Sequence, residues 1–201
     1  RYDALTTHMD IAICRTINEI ERLRSRANTF IIFASDNGPA VQAPLEELQC
    51  NGKLRGRKGL IYEGGLRVPF IVNQTGNVKV QTLNNQIYFP DVLPTLAALG
   101  NAKTPIKLNG MNILPLFYGE DVDTDNRLLY WEFTGKQRAA RKGVWKVVSV
   151  KRDAPLELYN IREDITESNN LAENYPEIVS GFEKEMAAMR VPSPNWPLPE
   201  E

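Results

Sequence analysis

A short, wholly apolar segment followed by polar residues constrains this chain more than any other feature. Phe30 to Ala34 is continuously apolar, and Ser35, Asp36, Asn37 and Gly38 follow it directly. A short apolar run without alternation is typical of a strand that is buried on both faces. In open α/β sheets, ligands gather beyond the carboxyl ends of the strands. The segment therefore predicts a central strand that delivers a carboxylate and an amide to a binding site.

The polar pair has the chemistry of a site for a hard cation. Asp36 and Asn37 offer a carboxylate and an amide oxygen, which suit Ca²⁺ or Mg²⁺ better than zinc. Both can reach one ion only where the strand has ended, and Gly38 allows that. Calcium takes about six to eight oxygen ligands, so further ligands must come from elsewhere. Taken alone, such a sequence after a strand is more often a simple turn.

A basic, glycine-rich loop follows farther along the chain. Arg55, Arg57 and Lys58 precede Gly59, and side chains of this kind can hold an anion through charge-assisted hydrogen bonds. Lysine also offers movable donors to an oxyanion whose charge grows during a reaction. A basic loop on its own is more often a solvated surface, so its meaning depends on the polar residues after the first strand.

The first part of the chain has an α/β pattern. Apolar residues recur at helical spacing from Asp3 to Arg26 and predict a helix with one buried stripe. Val68 to Val72 is a second apolar strand, and Pro90 to Gly100 predicts a short helix. Strands this apolar need neighbours on both sides, and the chain offers few candidates. We therefore expect residues 1–120 to be the later part of a larger α/β sheet domain.

After the acidic segment Asp121–Asp125 the pattern changes to short strands separated by turns. The strand candidates are Leu128–Phe133, Gln137–Arg141, Trp145–Val150 and Leu156–Tyr159. They predict a small antiparallel sheet of about four strands, which an amphipathic helix over Asn174 to Met189 would cover. Residues 192–201 are proline-rich and are expected to be extended. Residues 121–201 are thus predicted to form an α+β subdomain with an extended tail.

Composition excludes several classes of partner and site. The net charge of −1 favours neither nucleic acid nor a membrane surface, and no apolar run reaches the roughly 18 residues of a membrane span. Cys14 and Cys50 form no C-x-x-C pair, which argues against zinc. We expect free thiols, although the spacing leaves a disulfide between them open.

Four groups of residues together resemble one family. Asn28-Thr29 with Ser35-Asp36-Asn37-Gly38 is similar to N-T-x-x-x-F-x-S-D-N-G, and residues 54–69 are similar to L-R-G-x-K-G-x-x-Y-E-G-G-x-R-V-P. Residues 91–96 match D-x-x-P-T-L, and residues 158–172 resemble L-Y-D-L…D-x-x-E-x-x-N-L-A. These motifs are those of the type I, formylglycine-dependent sulfatases of the alkaline phosphatase-like superfamily. The chain resembles the C-terminal half of such an enzyme.

The resemblance implies specific roles. Asp36 and Asn37 would be ligands of the active-site metal, normally Ca²⁺ with Mg²⁺ left open, and Lys58 would contact the sulfate and assist the leaving oxygen. The nucleophile of the family is a formylglycine made from the cysteine of C-x-P-S/A-R, and neither Cys14 nor Cys50 lies in that motif. The expected partners are a carbohydrate or aryl sulfate ester and an N-terminal portion of the sulfatase that carries the nucleophile.

The isolated chain is accordingly expected to show no turnover. The sequence leaves two alternative functions open. One is hydrolysis of phosphate or phosphonate esters within the same superfamily, and the other is that of a non-catalytic binding or assembly subunit with this fold. The resemblance implies a periplasmic, secreted or lysosomal location, and the residues themselves identify no compartment.

Overall fold

A computed structural model describes residues 2–43, 45–104, 107–133, 136–151 and 154–194. The helices are α1 (Tyr2–Arg22), α2 (Leu45–Leu48), α3 (Glu63–Leu66), α4 (Val92–Leu99), α5 (Leu114–Phe117) and α6 (Pro176–Met189). The strands are β1 (Ile31–Ala34), β2 (Phe70–Asn73), β3 (Leu129–Phe133), β4 (Gln137–Lys142), β5 (Trp145–Ser149) and β6 (Glu157–Asn160). Most of the tail that was expected to be extended, residues 195–201, lies outside the described residues.

The chain folds as two compact units. The first comprises Arg1–Ala34 and Pro69–Asp123, and the second comprises Ser35–Val68 and Thr124–Glu201. The break after Asp123 lies close to the predicted boundary at residue 120, while residues 35–68 group with the C-terminal part of the chain. The division at residue 120 into an α/β part and an α+β subdomain stays a prediction, because grouping residues into compact units does not test the fold class of each part.

The first unit is built around the pairing of β1 with β2. The two strands are antiparallel, with Ile31 opposite Asn73 and Ala34 opposite Phe70. Ile113, Leu116 and Phe117 form the buried core of this unit. All four residues of β1 are only half-buried, so the expected burial on both faces is not reached by the part of the chain that the structure describes. A continuous apolar run predicts a strand but does not identify its neighbours.

Helix α1 confirms the predicted helix but not its buried stripe. The helix ends at Arg22, and Arg24 follows with a left-handed backbone, φ 53°. None of its described residues is buried, and Leu5 is 70% exposed. Helical spacing reports an apolar face, whereas burial depends on what packs against that face.

The second unit contains the predicted antiparallel sheet, in the order β3-β4-β5-β6. Alternate residues face opposite sides, as the two-residue period of a strand requires. On one face, Ala140, Val147 and Leu158 pack with Phe182 and Met186 of α6. The predicted C-terminal helix therefore covers the sheet as expected.

The opposite face of the sheet packs against the candidate-site segment. Ala139, Val148 and Tyr159 form a buried cluster with Ile61 and Tyr62, which precede α3. Val147 and Val148 are both 0% exposed, so the sheet is covered on both faces at its centre. The loop that contains Lys58, and helix α3 after it, are thereby held against the buried centre of the sheet.

Candidate functional site

The loop after β1 presents the two predicted cation ligands. Ser35 Oγ donates a hydrogen bond to the Asn37 carbonyl at 2.9 Å, and Asn37 Nδ2 donates to the Gly38 carbonyl at 3.0 Å. With its Nδ2 engaged, Asn37 can present Oδ1 to an ion. Asp36 is exposed beside it. Because β1 has already ended at Ala34, the two side chains are not forced to opposite faces.

Gly38 joins this loop to α3. Its N–H donates to the Gly65 carbonyl at 3.0 Å, and a Cβ at this position would overlap the carbonyl oxygen of Gly64. The close approach of this segment to α3 explains why glycine is needed at position 38. A Cβ at Gly64 or Gly65 would instead overlap atoms of residues 51–60. The pair Gly64-Gly65 therefore allows close backbone approaches on more than one side of α3.

Lys58 is joined to the same loop through the backbone. Its N–H donates to the Pro39 carbonyl at 2.9 Å, and its side chain is exposed. Gly59 has a left-handed φ of 88°, which turns the chain directly after the lysine. The Gly59 carbonyl accepts a hydrogen bond from Gln137 Nε2 at 2.8 Å. The three predicted site residues, Asp36, Asn37 and Lys58, thus lie on segments that hydrogen-bond to one another.

Arg55 makes contacts within the protein rather than projecting freely toward an anion. Its guanidinium carbon lies 3.8 Å from the centre of the Tyr62 ring, and Nη1 donates to Tyr159 Oη and to the Glu167 carbonyl, each at 2.9 Å. The expectation that Arg55 helps to bind an anion is therefore not supported by its position. It is a packing residue that holds the basic loop on β6.

Glu157 accepts hydrogen bonds from the hydroxyls of the two tyrosines that contact Arg55. Tyr62 Oη and Tyr159 Oη donate to its Oε2 at 2.7 and 2.8 Å. Burial, reinforced by the hydrogen bond to Glu157, raises the pKa of both tyrosines well above its ordinary value. Both hydroxyls therefore stay protonated donors, and neither is suited to act as a base.

A buried ion cluster connects the start of α3 to strand β5. It consists of Glu63, Lys146 and Glu167, whose side chains are 6%, 0% and 0% exposed. Lys146 Nζ donates to Glu63 Oε1 at 2.9 Å and forms an ion pair with Glu167 Oε1 at 2.8 Å. Glu167 Oε2 accepts the Glu63 N–H at 2.6 Å. Three ionic groups with almost no solvent access are thus mutually paired.

The partly exposed Arg67 completes the charge balance of the cluster. Its Nε lies 2.6 Å from Glu63 Oε2, four residues earlier in the chain. Burial raises the pKa of Glu63, but Lys146 and Arg67 outweigh it and the net pKa lies below its ordinary value. Burial raises the pKa of Glu167, and Lys146 offsets this only in part. The two carboxyls are therefore held with unequal acidity.

The sequence alone does not predict that Lys146 and Glu167 belong to this cluster. A usable signal exists for Lys146, because the strand alternation places it on the same face as the buried Val148. A lysine at an inward position needs an anionic partner. Glu167 lies in the motif at residues 158–172, but nothing in that motif indicates that its carboxylate lies beside Lys146.

The donor set fits a hard cation only as part of a larger site. Among the described residues, no three His, Cys, Asp or Glu side chains are gathered as metal ligands would be. Asp36 and Asn37 supply oxygen donors of the type that calcium or magnesium takes.

Both cysteines are free thiols, and His8 is exposed on α1. Within the described part of the chain, no helix has the length and apolar character of a membrane span.

Comparison with known families gives two overlapping matches. The family model described as Sulfatase matches residues 1–102. The model described as N-sulphoglucosamine sulphohydrolase, C-terminal, matches residues 56–192. Together they cover nearly all of the chain.

Individual relatives are similar along most of this chain. A protein named Sulfatase from Formosa agariphila is 31% identical over 86% of this chain and 35% of its own length. An N-acetylgalactosamine-6-O-sulfatase from Bacteroides thetaiotaomicron is 30% identical over 85% of this chain and 38% of its own length. The crystal structure of Ps i-CgsB superposes with a TM-score of 0.77 at 25% identity, covering 89% of this chain and 40% of that one. The chain spans well under half the length of these relatives.

Proposed function

Because the chain belongs to the sulfatase family, we propose that it supplies metal ligands and a sulfate-binding lysine to a sulfuric ester hydrolase. The observation that carries the proposal is the hydrogen-bonded joining of two segments. Gly38 N–H reaches the Gly65 carbonyl at 3.0 Å and Lys58 N–H reaches the Pro39 carbonyl at 2.9 Å. Carboxylate, amide and ammonium groups are thereby carried by one backbone assembly, as metal-assisted hydrolysis of an anionic ester requires.

In this proposal, Asp36 and Asn37 hold a Ca²⁺ ion through their side-chain oxygens. The ion supplies Lewis-acid polarisation of the sulfate when it is bound. Lys58 binds a sulfate oxygen and places a proton donor near the oxygen of the departing alcohol. Its exposed ammonium and the turn at Gly59 leave it free to approach a ligand.

The nucleophile is proposed to come from polypeptide outside residues 1–201. Cys14 is followed by Arg-Thr-Ile and Cys50 by Asn-Gly-Lys, so neither provides the cysteine from which formylglycine is made. The proposed substrate is a sulfate ester of a carbohydrate or an aryl alcohol, and the proposed partner is the N-terminal portion of the sulfatase.

The reaction class is tested with the native polypeptide that carries this chain. We expect it to hydrolyse 4-nitrophenyl sulfate faster than 4-nitrophenyl phosphate, and residues 1–201 alone to release no sulfate. Faster phosphate hydrolysis would instead support a phosphoesterase of the same superfamily. An inactive native polypeptide that binds no Ca²⁺ would support the binding or assembly subunit.

The role of Lys58 is tested by Lys58→Ala in the active enzyme. Loss of one donor to a developing oxyanion typically costs about 10²- to 10³-fold in kcat, and we expect a loss of that order. Lys53→Ala is the matched control, since Lys53 is an exposed lysine of the same loop. Equal activity of the two variants would remove Lys58 from the proposed mechanism.

A further inference from the structure

We propose that the buried ion cluster of Glu63, Lys146 and Glu167 is a positioning element for the loop after β1, residues 35–38, which carries the proposed metal ligands Asp36 and Asn37. The assumption that this loop binds a metal rests on the proposed function. The link between the ion cluster and the loop rests on the contacts described below. None of the three is among the proposed ligand-contacting residues Asp36, Asn37 and Lys58, so we infer that their role is exerted through α3.

The first step runs from the sheet to α3. Lys146 lies on β5, and its fully buried Nζ pairs with Glu63 at 2.9 Å. Glu63 is the first residue of α3, and its N–H is held by Glu167 at 2.6 Å. Both the side chain and the backbone at the start of this short helix are therefore held by charged partners.

The second step runs from α3 to the loop. Gly65 lies in α3, and its carbonyl accepts the Gly38 N–H at 3.0 Å. The approach is so close that a Cβ on Gly38 would overlap the Gly64 carbonyl. Any shift of α3 must therefore move Gly38 as well, and with it the neighbouring Asn37.

The basic loop is coupled to the same helix. The Gly64 N–H donates to the Arg55 carbonyl at 2.7 Å, and Arg55 itself contacts the Glu167 carbonyl at 2.9 Å. The helix thus hydrogen-bonds both to the loop that carries Asn37 and to the loop that carries Lys58. A displaced α3 would disturb both.

Charge explains why this arrangement can fix a position. An ion pair with little solvent access is held to a narrow geometry, since any separation leaves a charge without compensation. Here one cation lies between two carboxylates, and Arg67 at 2.6 Å from Glu63 balances the second. Replacing Lys146 by an apolar residue leaves two buried carboxylates facing each other.

The test compares Lys146→Met with Val147→Ala in the native polypeptide. Val147 is the next residue of β5, equally buried, and packs on the opposite face against α6. Two quantities are measured where both variants are folded: Ca²⁺ affinity by calorimetry, and hydrogen exchange of the Gly38 amide. We expect Lys146→Met to weaken Ca²⁺ binding about 10-fold, the lower end for loss of an outer-shell partner, and to speed Gly38 exchange. Val147→Ala should change neither.

Equal effects of the two variants, or wild-type values for Lys146→Met, would overturn the proposal. If Lys146→Met does not fold, Glu167→Gln takes its place, because it removes one charge while keeping the size of the side chain. It should change both quantities in the same direction, and unchanged values would overturn the proposal equally. If the wild-type protein binds no Ca²⁺, the proposed function fails while Gly38 exchange still decides the positioning role.

Discussion

Gly38 is the residue at which the absence of a side chain matters most. Its amide is bonded to Gly65, and the space for a Cβ is taken by the Gly64 carbonyl. The loop after β1 and α3 approach each other through backbone atoms, so no side-chain rearrangement can relieve a clash there.

Gly38→Ala should therefore lower the free energy of unfolding by about 1–3 kcal/mol, the usual cost of inserting a methyl group into filled space. Calcium affinity should fall as well. Gly181→Ala is the control, because a Cβ there meets no atom and alanine is preferred inside a helix. Denaturant unfolding and calcium titration of both variants check the prediction, and equal stability would contradict it.

At the same scale, the sequence predicts some members of the site and misses others. Asp36, Asn37 and Lys58 stand out because they lie in motifs made of neighbouring residues. Lys146 is 83 residues from Glu63, and no local pattern states that two such distant positions meet. The unexpected role of Arg55 has the same origin, since its partners Tyr159 and Glu167 lie in the far C-terminal part of the chain.

Among the elements, the antiparallel sheet and α6 follow most directly from the sequence. Alternation along β4, β5 and β6 defines two faces, and the spacing of Ile178, Phe182 and Met186 defines one side of the helix. Helix α1 is equally clear as a pattern, yet it buries none of its described residues. Periodicity predicts the element, whereas burial depends on a partner that periodicity does not contain.

The packing of α6 leads to a test by substitution. Phe182 is 6% exposed, whereas Met189 near the end of the same helix is 38% exposed. Phe182→Ala should lower the free energy of unfolding by about 3–5 kcal/mol. Met189→Ala should change it by roughly 0.5 kcal/mol or less. Urea unfolding of each variant measures both values, and similar losses would show that α6 is not held by its Phe182 face.

For the whole molecule, Glu63 is one of the groups whose shifted pKa makes stability depend on pH. Because its pKa in the folded protein lies below the ordinary 4.5, its contribution is present above about pH 4.5 and is lost as pH falls through the folded value. Glu167 has a raised pKa, so its own contribution is lost as pH rises through the folded value. The two effects oppose each other.

Glu63→Gln should therefore be less stable than the wild type near neutral pH and should lose less stability below about pH 4.5. Unfolding free energies measured across this range provide the comparison. Added salt is the control, because buried pairs are screened little. A variant with the same acid slope as the wild type would contradict the assigned charge of Glu63.

At the scale of the whole molecule, the sequence does not predict which segments of the chain make up each compact unit. A reading along the chain places residues 35–68 with the first strands, whereas they group with residues 124–201. The sheet face formed by Ala139, Val148 and Tyr159 provides the apolar surface that Ile61 and Tyr62 cover. Such grouping depends on burial between segments far apart in sequence.

The distance along the chain between Glu63 and Lys146 also has a consequence for biosynthesis. A ribosome releases a polypeptide from its N-terminal end, so Glu63 emerges 83 residues before the cation that pairs with it. If the ion cluster positions the loop of Asp36 and Asn37 as proposed, that loop can reach its supported conformation only after β5 and the segment that carries Glu167 have been translated. A message truncated before Lys146 would yield a nascent chain that carries Asp36, Asn37 and Lys58 but lacks the pairing that holds α3 in place.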